Sequence, residues 1–231
     1  MTPSHIAFIM DGNGRWAERR HTPRKYGHKM GTQTLENVVD LAAKFGIKTV
    51  TFYAFSTENW ARPQSEIDYL FGIFRKFLSE IDRYKQKNVK LRFIGNLSRL
   101  PEDVRDACVE MTERTKENTG LNVVIALNYG SWEEVTSAVN RLLQSGKTSV
   151  SEEEIKNALY THDLTFPDVV VRTGGEVRLS NFLLLQSAYA ELIFTDTLWP
   201  DFDEKAFVGV LDEYSSRVRK YGGLKKGDAK A

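Results

Sequence analysis

Short apolar runs near Ile6–Met10, Thr49–Phe55, Lys90–Ile94, Asn122–Leu127, Asp168–Val171 and Leu192–Phe194 are separated, for the most part, by stretches with helical, amphipathic spacing. Strands that alternate with helices in this way pack as a parallel sheet covered on both faces. The chain therefore reads as an α/β fold with a single, mostly parallel central sheet flanked by helices. Its 231 residues are enough for one domain with a sizeable core. We expect that domain over residues 1–224, with 225–231 as a mobile tail. No internal repeat or low-complexity block interrupts the pattern, and Gln144 to Ser151 is short enough to be a surface loop. The clearest helix follows Pro63, with Ile67, Leu70, Phe71, Phe74, Phe77, Leu78 and Ile81 at three- and four-residue spacings. So wide an aromatic stripe suits either a cover for the sheet or the wall of a greasy cavity. A further helix is expected from about Asp203 to Lys220, using Phe207, Val210, Leu211 and Tyr214.

In open sheets of this kind ligands sit beyond the carboxyl ends of the strands. Here those positions are rich in chemistry. The first run, buried on both faces by its pattern, leads into Asp11-Gly12-Asn13-Gly14-Arg15-Trp16-Ala17. Asp11 should emerge where strand meets solvent, a hard oxygen ligand suited to magnesium. Gly12 and Gly14 allow a tight turn that brings backbone N–H groups close to an oxyanion, and Arg15 offers a fork for phosphate oxygens. The second run ends in Ser56-Thr57-Glu58-Asn59-Trp60-Ala61-Arg62, and the fifth in Arg172-Thr173-Gly174-Gly175-Glu176, with Arg178 and Ser180 beyond. A site for two diphosphates needs several cations, and Arg15, Arg24, Arg62, Arg172 and Arg178, with His28 as a further donor, are the candidates. Glu191 could join Asp11 as a second oxygen ligand.

Other readings bear on the same residues. Asp-Gly and Asn-Gly also mark plain turns. Gly12 to Ala17 fits the dinucleotide fingerprint G-x-G-x-x-A, although Glu36, at the spacing of its acidic partner, lies in a helical pattern. The 32 basic and 31 acidic side chains give a net charge of +1, no global field for nucleic acid, so any phosphate site must be built locally. Cys108 is alone and reads as packing. No run approaches a membrane span, and Met1 to His5 lacks the features of a secretory signal, so a cytoplasmic protein is expected.

Taken together, MDGNGRWA at Met10–Ala17, YGHKMG at Tyr26–Gly31, TFYAFSTENWARP at Thr51–Pro63, NYG at Asn128–Gly130, RTGGEVRLSNFLL at Arg172–Leu184 and AYAELIFTDTLWPDF at Ala188–Phe202 resemble the cis-prenyltransferase family, its bacterial undecaprenyl diphosphate synthases above all. The resemblance spans nearly the whole chain. It implies repeated condensation of isopentenyl diphosphate onto an allylic diphosphate such as farnesyl diphosphate, with Mg2+, in a homodimer whose subunits each hold a hydrophobic tunnel. The long product would be a lipid-carrier precursor for cell-wall polysaccharide, released through transient contact with a membrane surface. By the same resemblance Asp11 serves magnesium and diphosphate, and Gly12, Asn13, Gly14, Arg15 and Trp16 hold the allylic substrate with Arg24 and His28. Ser56, Thr57, Glu58, Asn59, Trp60 and Arg62 form a closing loop in which Asn59 is tied to proton removal. An amide is a poor base, so Asn59 is expected to orient a water or a diphosphate oxygen. Arg172, Arg178, Leu179 and Ser180 match the isopentenyl diphosphate site. Glu191 matches a metal position completed across the dimer, and RVRKYGG at Arg217–Gly223 an element that reaches the neighbouring subunit. The helix after Pro63 would line the tunnel with Ala54 and Leu121. Leu185 stands where tryptophan is more usual, and Ser131-Trp132 follows NYG in place of glycine and arginine. Neither removes a phosphate or metal group. A noncatalytic partner subunit and a dinucleotide-binding oxidoreductase are the alternatives.

Overall fold

The computed structural model describes residues 2–217. The chain runs β1 (His5–Ile9), α1 (Asn13–Arg19), α2 (Arg24–Lys44), β2 (Thr49–Ser56), α3 (Gln64–Ser79), α4 (Ile81–Gln86), β3 (Lys90–Ile94), α5 (Glu102–Thr115), β4 (Asn122–Tyr129), α6 (Ser131–Gln144), α7 (Glu152–Ala158), β5 (Val169–Arg172), β6 (Glu191–Phe194) and α8 (Glu204–Ser216). The six strands form one sheet in the order β3-β4-β2-β1-β5-β6, and every pairing is parallel. All six apolar runs are therefore strands, and the expected fold class holds. Arg217 is described, but the rest of the RVRKYGG element, the 225–231 tail and the end of the last expected helix lie outside the described residues.

Strand residues alternate between two cores, because successive side chains point to opposite faces. Ile6 and Phe8, with Val50 and Phe52, face the larger core, which α2, α3, α5 and α8 cover with Val38, Phe71, Met111 and Phe207 among others. Ala7 and Ile9 face the smaller core with Val124, Ala126, Phe182 and Leu183. Phe8 stacks on Phe52 at 5.6 Å, its register partner on β2. The strand ends of β1, β2, β4 and β5 are thereby held side by side, and the segments that follow them share one rim of the sheet.

Two element boundaries differ from the sequence pattern. The helix after Pro63 ends at Ser79, and α4 resumes at Ile81 after Glu80 takes φ −95 and ψ 23. The segment after β2, expected as a loop, is a short 3-10 turn over Thr57–Ala61. Ser145 to Ser151 connects α6 to α7, as the shortness of the Gln144–Ser151 stretch suggested, with Gln144 itself ending α6.

Candidate active site

At the end of β1 the backbone must turn at once from strand into α1, and Gly12 makes that turn with φ 107, a conformation that side chains disfavour. A Cβ there would also press on Leu198, 2.9 Å from its Cδ2. The turn leaves Asp11 at the rim. One oxygen of Asp11 accepts from the Gly12 N–H at 2.6 Å and meets Arg15 at 3.1 Å, and the other accepts from Arg172 at 2.9 Å. Burial pushes the Asp11 carboxyl up, but the Arg172 hydrogen bond and the charges of Arg15 and Arg172 outweigh it and hold the group below its ordinary value. Asp11 is thus kept as a carboxylate.

Arg172, the last residue of β5, is only 5% exposed. Besides Asp11 it donates to the Arg178 carbonyl at 2.6 Å and to Ser180 Oγ at 2.7 Å, so one guanidinium ties the β1 turn to the segment after β5. Its Nε is buried without a hydrogen-bond partner among the described residues, as are His28 Nε2 and Asn13 Oδ1. Buried polar atoms are rarely left unpaired. All three residues line the same cavity; ligand oxygens could pair with Arg172 and His28, whereas Asn13 Oδ1 lies against Gly31.

That cavity has a volume of about 290 Å³. One end is polar, with Asp11, Gly12, Asn13, Gly14, Arg24, His28, Ser56, Asn59, Arg62 and Arg172; the other is apolar, with Leu35, Ala54, Leu70, Ile73, Phe74, Phe77 and Ile125. Arg62 is paired with Glu66 at 2.9 Å in a half-buried contact and Arg24 with Glu18 at 2.6 Å in an exposed one, pairings that an anion can recruit. Burial, then the charge of Arg62, lowers the His28 pKa to about 4 in spite of Glu66, so at neutral pH its imidazole is uncharged and offers one N–H.

Several expected residues stand back from the cavity. Arg15 spends its fork on Asp11 and, at 2.6 Å, on the Gly174 carbonyl, which makes it a brace for the carboxylate. The Trp16 indole donates to Asp201 at 2.6 Å, and its ring meets Tyr26 at a tilt and lies under the Arg20 guanidinium. Arg178 is 59% exposed along its side chain and paired with Glu176. Thr57, Glu58, Trp60 and Leu179 surround the site without lining it. Leu121 lies in the larger core instead of the cavity wall. Glu191 is at the start of β6, paired in register with Val169, and its carboxylate holds Arg217 at 2.8 Å. It is at the far end of the strands from the Asp11 rim, so one chain does not bring the two carboxylates together. Glu36, the residue at dinucleotide spacing, is bound to Arg83 of α4.

Among the described residues no three His, Cys, Asp or Glu side chains form a metal cluster, and Asp11 is the one carboxylate in the cavity lining. A single ionised carboxylate beside a phosphate-sized polar pocket fits magnesium, which binds through one or two carboxylates with substrate phosphates and waters completing its shell. Sequence reasoning missed Tyr53, Thr32, Leu35, Ile125 and Trp199 in the lining. Nothing in their local pattern marks them; the packing of α2 and of the Trp199 turn against the strand ends places them here. Trp199 buttresses the turn, its backbone N–H donating to the Asp11 carbonyl at 3.0 Å and its indole to the Gly31 carbonyl at 2.8 Å.

Comparison with known proteins gives a consistent set of relatives. A family model for undecaprenyl diphosphate synthase matches residues 9–222. An isoprenyl transferase from Fusobacterium nucleatum is 45% identical over 225 residues, covering 96% of this chain and 97% of its own length. One from Helicobacter pylori is 45% identical over 230 residues, covering 97% and 98%. The crystal structure of lavandulyl diphosphate synthase from Lavandula x intermedia, in complex with dimethylallyl diphosphate, superposes with a TM-score of 0.91 at 33% identity, covering 96% of this chain and 98% of that one.

Proposed function

The chain belongs to the undecaprenyl diphosphate synthase family of prenyltransferases, and from that premise we propose that it condenses isopentenyl diphosphate repeatedly onto an allylic diphosphate, farnesyl diphosphate by preference, to build a long cis-polyprenyl diphosphate. One observation carries the reading: a single cavity joins an arginine-rich, carboxylate-bearing group of residues to a largely apolar one. Such a shape suits an amphiphile whose head is an anion and whose tail is a hydrocarbon. A plant relative holds dimethylallyl diphosphate, an allylic diphosphate, in its crystals.

The allylic C–O bond breaks as diphosphate leaves, positive charge develops on the allylic carbon, the isopentenyl double bond forms the new C–C bond, and a proton is lost from the adduct. Arg24, Arg62 and Asn13, with the N–H of neutral His28, receive the leaving diphosphate; preorganised donors at the site of developing charge lower the barrier. Asp11 would hold Mg2+, which when bound supplies charge to the leaving group. Arg172, with Ser180, receives the second diphosphate. Asn59 accepts from the Ser56 N–H through Oδ1 at 3.1 Å, which leaves its amide N–H groups to orient the oxygen that takes the proton. The apolar walls exclude water from the cation.

The cavity is at the lower limit of ligand pockets, roughly 300 Å³, a size for the starter more than for a finished undecaprenyl chain. A longer chain must therefore extend beyond the cavity as it stands. We also propose a homodimer, with transient contact between the long product and a membrane surface. No described helix is long and apolar enough to cross a membrane. The deciding assay supplies magnesium, farnesyl diphosphate and labelled isopentenyl diphosphate and sizes the product by chromatography. A ladder of polyprenyl diphosphates is expected, and a wild-type protein that incorporates no label overturns the reading.

A further inference from the structure

Two asparagines from distant segments grip the same short turn. Asn128 in β4 and Asn181 in the segment after β5 both take left-handed backbone conformations, φ 47 and φ 61. Asparagine tolerates this region better than most residues, and Ser180 and Leu183 on either side of Asn181 share it. Each aims its amide at the Thr57–Ala61 turn. Asn128 Oδ1 accepts from the Trp60 indole at 2.7 Å, and Asn181 Nδ2 donates to Glu58 at 3.0 Å. Asn59 stands between these two anchored residues.

Neither asparagine is free to turn elsewhere. Asn128 is 1% exposed, and its Nδ2 donates to the Asn96 carbonyl at 2.8 Å. Asn181 Oδ1 accepts from the Trp132 N–H at 3.2 Å, and its carbonyl accepts from the Ser131 N–H at 2.8 Å, which fixes it to the start of α6. The next residue, Phe182, is fully buried and stacks on Tyr53 at 4.4 Å. Gly130 completes the junction. A Cβ there would lie 2.7 Å from both Asn181 Nδ2 and Thr57 Oγ1, so only glycine lets the amide and the loop pass so closely. On the other side of Asn181, Ser180 accepts from Arg172.

We infer that Asn181 is a positioning residue that, through Glu58, holds the Thr57–Ala61 turn shut with Asn59 aimed into the cavity, and that it ties this closure to the Arg172–Ser180 segment, with Asn128 and Gly130 as the seat. The inference rests on the prenyl-transfer reading above. It gives the NYG triplet a role without substrate contact: Asn128 holds Trp60, Gly130 makes room, and the Tyr129 hydroxyl donates to buried Glu134 at 2.5 Å to anchor the strand end.

Asn181→Asp tests it, because aspartate keeps the size, the left-handed tolerance and the acceptor for the Trp132 N–H but turns a like charge on Glu58. We expect kcat to fall at least about tenfold, as misplacing a positioned group does, while KM for the allylic substrate stays within about twofold. Amide hydrogen exchange across residues 57–62 should quicken with the melting temperature unchanged. Asn181→Gly, which also accepts the backbone angle, should shift both readouts in the same direction. In a Glu58→Gln background the new amide can donate to the introduced carboxylate, so adding Asn181→Asp should there cost less than about twofold and restore slow exchange. An equal loss in both backgrounds, or unchanged exchange over 57–62, would overturn the inference. Exchange needs no substrate, so a wild type without turnover would count against the functional reading alone and leave the clamp to be judged by exchange.

Discussion

Asp11 and Arg172 are an ion pair in which the cation is buried and the anion faces the cavity, so their losses should differ in kind. Asp11→Ala removes the one carboxylate of the lining and leaves Arg172 short of a partner; turnover should drop by at least about a hundredfold with binding of isopentenyl diphosphate largely retained. Arg172→Lys cannot span Asp11, the Arg178 carbonyl and Ser180 at once, since an ammonium lacks the planar fork, and KM for isopentenyl diphosphate should rise. Steady-state kinetics separates the two. His5 tests the opposite end of β1. It is buried between the Thr165 carbonyl, at 2.6 Å, and Thr51 Oγ1, at 2.7 Å, and desolvation lowers its pKa from 6.5 to about 4. Between those values the unfolded chain binds a proton that the native chain refuses, so stability is full above the unfolded value and falls as pH drops toward 4, by up to about 3 kcal/mol. His28 acts with the same sign. Denaturant unfolding at stepped pH should show the decline, and His5→Asn should flatten roughly half of it. The strand-end residues could be found in the sequence because chemistry follows the first, second and fifth apolar runs. His5, Tyr53 and Trp199 could not, because their partners lie 46, 76 and 168 residues away.

At the scale of elements, α3 shows what periodicity can and cannot give. The spacing from Ile67 to Phe77 marks an amphipathic helix, yet it does not say that Ile67 and Phe71 enter the core while Leu70, Ile73, Phe74 and Phe77 also face a cavity. That division depends on where β2 and β4 end beneath the helix. The break at Glu80 has no proline or glycine to announce it. Its reward is tertiary: beyond it Arg83 reaches Glu36 at 2.6 Å, Asp82 meets Arg114, and Tyr84 packs on Phe77 at 5.2 Å. If the apolar end receives the growing chain, shortening its wall should lengthen the product. Phe77→Ala should move the chromatographic profile toward longer polyprenyl diphosphates at a stability cost of about 3 kcal/mol, and Phe74→Trp should move it toward shorter ones. A profile unchanged in both would place chain growth elsewhere.

For the molecule as a whole, the parallel class follows from alternation of strands and helices, whereas the order β3-β4-β2-β1-β5-β6 is set by contacts no local pattern encodes. That order leaves β6 as an edge strand. Around it Tyr189 is 76% exposed and Leu185 50%, and Trp132, on the helix that the same segment packs against, is 73% exposed. Among the described residues no strand pairs with that edge, and large apolar side chains beside it suit the proposed second copy of the chain as cover. If Glu191 is the second metal ligand that the family resemblance implies, its distance from Asp11 of its own chain leaves the site of the proposed two-fold partner as the place where it would act. Sedimentation should find a dimer, and Tyr189→Arg should shift it toward monomer with activity falling in step. The sharper test mixes two inactive proteins, Asp11→Ala and Glu191→Ala, after unfolding and refolding together. If the carboxylates act across the interface, each mixed dimer regains one intact site, and an equal mixture should recover about a quarter of wild-type activity. If they act within one chain no site is whole, and the mixture should remain as inactive as its parts.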